Sequence, residues 1–115
     1  MRSPAMGYIL DTHILIWWWS GRAQLTGQCQ AILSDAANAV HISAASGWEM
    51  ATKVRSGKLP EMANAVANFD GGVRADNFRH LDVRHDHAVR AGLFVGDHRD
   101  PFDRMIAAQA LIEGL

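Results

Sequence analysis

Two carboxylates stand three residues apart in Asp100-Pro101-Phe102-Asp103-Arg104, just ahead of an apolar stretch that reads as a helix. Acids on one face of a helix, beside the dipole end that favours negative charge, are suited to holding a hard divalent cation. Two more acids fall where a similar use is expected. Asp11 closes the apolar run Tyr8-Ile9-Leu10, where a charge is costly unless it is used, and Glu49 lies in the second turn of a helix that begins after Ser43. Crowded carboxylates repel one another unless a cation neutralises them, and oxygen-only ligands select Mg²⁺ or Mn²⁺. Such an ion activates a water and stabilises the phosphoryl transition state, so the chemistry implied is phosphodiester hydrolysis.

Each acid also has a plainer use. Asp100 is a natural helix cap before Pro101, and Asp103 complements the dipole. Glu49 and Lys53 have the i,i+4 spacing of a solvated ion pair. Four basic residues near the acids, Lys53, Lys58, Arg99 and Arg104, are candidates for holding RNA phosphates by charge, or else form a solvated basic rim. His85-Asp86-His87 invites a metal reading, but alternate spacing splays the imidazoles, which favours surface or capping roles. Trp17-Trp18-Trp19 could stack on nucleobases, although aromatics in a helical row more often fill a core or an interface.

The elements that must position these residues follow from the apolar pattern. Tyr8–Leu10 reads as a strand, Thr12 to Trp19 as a short helix stopped at Ser20-Gly21, and a second helix follows Thr26 to about Asn38. Val40-His41-Ile42 is a second strand, and Ser43 caps a helix from Ala44 to Ser56 that stops at Gly57. A further helix spans Glu61 to Phe69 and ends at Asp70-Gly71-Gly72. Phe78 to Val83 is the third strand, Asp86 caps a helix towards Phe94, and Asp100 caps the last helix with Pro101 first and Gly114 as its stop. Strands alternating with helices imply an α/β layer fold with a parallel sheet. In such sheets ligands bind at the carboxyl ends of the strands, which is where Asp11, Glu49 and Asp103 would converge.

The 115 residues are enough for one core, and 49% hydrophobic with 20% charged residues reads as an ordinary globular domain. A net charge of −1 decides nothing about nucleic acid. Cys29 is the sole cysteine, so no internal disulfide or cysteine-rich zinc site can form, and a reducing compartment is expected. Neither a signal-like segment nor a run of the roughly 20 apolar residues a bilayer needs is present, so the expectation is a cytoplasmic protein. Residues 1–5 read as an extension ahead of a possible start at Met6, with the domain at 6–115.

The segments Leu10-Asp11-Thr12, "SGWEMATKVRSGKL" from Ser46, and "HRDPFDRMIAAQA" from His98 resemble, in order and spacing, the PIN-domain ribonucleases, most closely the VapC toxins of bacterial toxin–antitoxin pairs. The resemblance implies a PIN-like three-layer fold in which Asp11, Glu49 and Asp103 bind Mg²⁺ or Mn²⁺ and cut RNA, with Asp100 as a supporting acid. It further implies a homodimer silenced by a VapB-like antitoxin. Family members usually continue into a fourth strand bearing another acid and a short fifth strand, so the sequence to Leu115 implies a PIN-like domain lacking its last one or two strands. The alternative is then a catalytically impaired module that binds an antitoxin or a second copy of itself. A third reading uses the same acids on DNA.

Overall fold

Four short polar residues begin helices, and each does so by the same device. The structure is a computed structural model that describes residues 6–21, 24–95 and 100–115. In it the side chains of Asp11, Thr26, Ser43 and Asp100 accept backbone N–H groups from His13, Cys29, Ala45 and Phe102 respectively. These bonds satisfy donors that the first helical turn leaves unpaired. The capped helices are α1 (Thr12–Ser20), α2 (Gly27–Ser34), α3 (Ala44–Arg55) and α7 (Pro101–Glu113). Gly21 and Gly114 close α1 and α7 in the left-handed conformation, with φ of 68° and 70°.

Between them run β1 (Gly7–Ile9), β2 (Ala39–Ser43) and β3 (Arg79–Leu81), with α4 (Ala63–Ala67), α5 (Phe69–Ala75) and α6 (His85–Leu93) completing the order. The strands form one parallel sheet in the order β1-β2-β3, with Tyr8 opposite Val40 and Ile42 opposite His80. Each parallel connection needs a crossover, supplied by α1 and α2 for the first pair and by α3 to α5 for the second. The expected α/β layering with a helix-flanked parallel sheet is therefore present. Leu15, Ile42, Met50 and Val73 are fully buried at its centre. Trp17, Trp18 and Trp19 pack against this core, and the indole Nε1–H groups of Trp18 and Trp19 both donate to Asp76 Oδ2, at 3.2 and 2.8 Å. The tryptophan row is thus core material, with its polar edges satisfied by one carboxylate.

Some boundaries differ from the sequence reading: α2 ends at Ser34 rather than near Asn38, β3 covers only Arg79–Leu81 of the expected Phe78 to Val83, and two further differences have a packing reason. The helix expected to stop at Asp70-Gly71-Gly72 instead breaks at Asn68, and α5 runs through both glycines. Glycine is costly in a helix, but Gly72 lies under Trp19, where a Cβ would stand 2.9 Å from the indole Cζ2. Close packing with the tryptophan row overrides propensity. Helix α6 starts at His85 with Arg84 as its cap, two residues earlier than an Asp86 cap would give. His87 is not a surface group: it is fully buried, its Nδ1 accepts the Arg84 backbone N–H at 3.0 Å, and its Nε2 faces Glu113 Oε2 at 3.2 Å. With Nδ1 accepting, Nε2 carries the proton and donates to the carboxylate.

Candidate metal centre

Helix α7 and strand β1 lie alongside one another in opposite senses, and that decides where the acids go. Leu115, just past the end of α7, packs on Gly7 at the start of β1, so closely that a Cβ on Gly7 would stand 2.7 Å from Leu115 Cδ2. The N-terminal end of α7, with Asp100 and Asp103, therefore lies towards the carboxyl end of β1, where Asp11 follows. Asp11 and Asp103 both line an open groove of about 420 Å³ that also contains Tyr8, Ile106 and Ala110. Helix α3, which carries Glu49, packs against both α1 and α7.

The electrostatics are those of one cluster. Asp103 is held above the ordinary carboxyl range first by burial and then by the negative charges of Asp100, Asp11 and Glu49, with His13 pulling weakly the other way. Asp103 thus senses the negative charge of the other three acids. Glu49 is only 1% exposed; its Oε2 accepts Lys53 Nζ at 2.7 Å, and Oε1 is buried with no hydrogen-bond partner among the described residues. The Glu49–Lys53 pair expected from spacing is present, but its acid end is inside the protein rather than solvated. An unpartnered buried carboxylate oxygen costs about 1–3 kcal/mol or more.

Asp11 and Asp100 each spend one oxygen on a helix cap, Asp11 Oδ1 also standing 3.2 Å from His13 Nδ1. Beneath them, the hydroxyls of Thr12 and Ser46 share a buried 2.9 Å hydrogen bond that fixes the start of α1 against α3. This pair was missed in the sequence, although each partner is adjacent to a flagged element: Thr12 follows Asp11, and Ser46 is one turn before Glu49. Among the described residues, no three His, Cys, Asp or Glu side chains are drawn together tightly enough to enclose an ion as they stand. The donor set nevertheless fits one: four carboxyls interacting through like charge, one with an orphaned buried oxygen, match the oxygen chemistry of a hard divalent cation.

Of the basic candidates, Lys53 is committed to Glu49, and Lys58 is exposed beyond the end of α3. The Arg104 guanidinium donates to the carbonyls of Ala91, Gly92 and Phe94, tying the end of α6 to α7. Arg99 and His98 lie outside the described residues.

A family model for the PIN domain matches residues 8–115. The chain belongs to the PIN-domain family. Within this PIN domain, a segment of 67 residues is 34% identical to Ribonuclease VapC16 of Mycobacterium tuberculosis, covering 58% of this chain and 48% of that protein. The match thus spans about half the length of the curated relative. None of the described helices of this PIN domain is long and apolar enough to cross a membrane.

Proposed function

We propose that this PIN domain, with its boundaries at residues 6–115, is a divalent-metal-dependent endoribonuclease of the VapC kind. Asp11, Glu49 and Asp103 hold Mg²⁺ or Mn²⁺, with Asp100 as the supporting acid. The single observation behind this reading is the groove that Asp11 and Asp103 line together, far apart in sequence, with the negative charges of Asp100 and Glu49 also felt at Asp103. When bound, the ion would neutralise these charges, polarise the scissile phosphate and supply an acidic water. Glu49 or Asp11 would then help to position the attacking water. The Lys53 ammonium on Glu49 Oε2 leaves Oε1 as the oxygen able to face the site. Exposed Lys58 contributes charge for RNA phosphates, as does Arg99, whereas Arg104 acts by fixing the helix that carries Asp103.

The similarity to a VapC ribonuclease supports the same reading: a toxin acting on RNA in the cytoplasm, paired as a homodimer and restrained by a VapB-like antitoxin. Incubation with structured and unstructured RNA, and in parallel with DNA, in Mn²⁺ or Mg²⁺ tests it. Cleavage of RNA that stops with a chelator and with Asp11→Asn is expected. Cleavage undiminished by either refutes the mechanism, and cleavage of DNA alone reassigns the substrate. A chain that captures the antitoxin but cuts nothing favours the binding-module alternative.

A further inference from the structure

Beside the acids lies an apolar recess that the catalytic reading does not use. Trp48 and Phe102 meet edge to face, with ring centroids 5.0 Å apart and planes at 83°. They wall an open cavity of about 430 Å³ with Ala45, Val83, Pro101 and Met105. Trp48 is 68% exposed despite this contact, an unusual exposure for the largest apolar side chain. Its place in the chain is the telling feature. Trp48 directly precedes Glu49, and Phe102 directly precedes Asp103, so two helices each present an acid and, one residue away, an aromatic ring. The ring pair is in contact and the acid pair interacts through charge, so the recess and the acidic cluster are built by the same turns of the same two helices.

We propose that this recess is a nucleobase subsite: one unpaired base next to the scissile phosphate stacks on Trp48, while Phe102 supports the indole from its edge. The proposal rests on the nuclease reading above and adds what that reading lacks, a way to hold single-stranded RNA in a chain with no excess of positive charge. Stacking on an aromatic face is tolerant of sequence and does not depend on charge. The alternative occupant, a second copy of the chain, fits less well. At about 430 Å³ the recess has the concave scale of a site for one small planar group rather than the broad face of a protein interface. Recognition of RNA, unlike that of duplex DNA, commonly works through splayed single-stranded bases on aromatic rings.

The test is an abasic scan. Single-stranded RNA oligonucleotides carrying one abasic site, moved position by position across the cleaved bond, are offered to the full chain and to its W48A and W48F forms. Cleavage in Mn²⁺ is measured, together with binding by fluorescence anisotropy in chelator. At one flanking position the abasic site should weaken the native protein's binding and kcat/KM by roughly 5- to 100-fold. W48A should show that loss on intact RNA and no further loss at that position, while W48F retains most of the native behaviour. Circular dichroism checks folding, which an exposed residue should not disturb. If W48A and the native chain show the same abasic profile, the base subsite is wrong and the nuclease reading stands. If RNA is neither cut nor bound by the native chain, both fall. If W48A leaves RNA handling intact but turns a dimer into a monomer in sedimentation, the recess belongs to a second copy and the proposal is overturned.

Discussion

The two ends of α7 carry acids under opposite conditions. At the N-terminal end, where the helix dipole favours negative charge, Asp103 is nonetheless pushed up by burial and by Asp100, Asp11 and Glu49. At the C-terminal end, where the dipole disfavours it, Glu113 is held below the ordinary range by Arg84 and then His87. Asp86 is held down by the same guanidinium, 2.8 Å away. Burial and like charge outweigh the dipole at the first end, and hydrogen-bonding partners outweigh it at the second. The C-terminal group binds α6 to α7, whereas the N-terminal group gains nothing structurally from its crowding.

The sharpest way to break this contrast is to remove an acid from each end. Asp103→Asn and Asp11→Asn should each lower kcat/KM on RNA by at least about 100-fold, in a cleavage assay with Mn²⁺. His87→Ala should instead leave the activity of folded protein near normal. It removes a fully buried ring and two hydrogen bonds, so a loss of about 2–4 kcal/mol is expected in urea unfolding. Equal effects of the two kinds of variant on stability and activity would dissolve the distinction.

A smaller, signed effect concerns pH in metal-free protein. Because the folded state raises the Asp103 carboxyl, the folded chain binds more protons than the unfolded one above the ordinary value of 3.8, and stability from this group falls as pH rises through that window. Asp103→Asn should therefore match the native chain below pH 3.8 and become progressively more stable than it above. Glu113, Asp86 and Asp70 have lowered values and act the other way. Their contribution is present above the ordinary carboxyl range and is lost as pH falls through their folded values. Urea midpoints of both proteins across the acid range check both signs. The smallest effect is at Asp100: Asp100→Ala should cost about 1 kcal/mol by removing the cap on α7, while Asp100→Asn keeps the cap and reduces only ion affinity.

Local rules made much of the fold legible. The four side-chain caps and the glycine stops at Gly21 and Gly114 are short-range chemistry, and they place Asp11 and Asp103 at helix starts, and Glu49 in the second turn of its helix, before any packing is considered. What escaped is what depends on distant partners. Gly71-Gly72 reads as a stop because its helical use requires Trp19 above it. His87 reads as a surface or capping group; its cap on the Arg84 backbone is local, but its burial against Gln109 and Glu113 is not deducible from its neighbours. The burial of Glu49 likewise depends on how α3 packs on α1 and α7. Trp48 passed unremarked since its exposure, rather than its identity, is what singles it out.

Calorimetric titration with Mn²⁺ tests the shared site most directly, using the native chain beside Asp11→Asn, Glu49→Gln and Asp103→Asn. The account predicts that all three substitutions weaken one common binding event by about 10-fold or more. Native-like Mn²⁺ affinity in all three variants would contradict it.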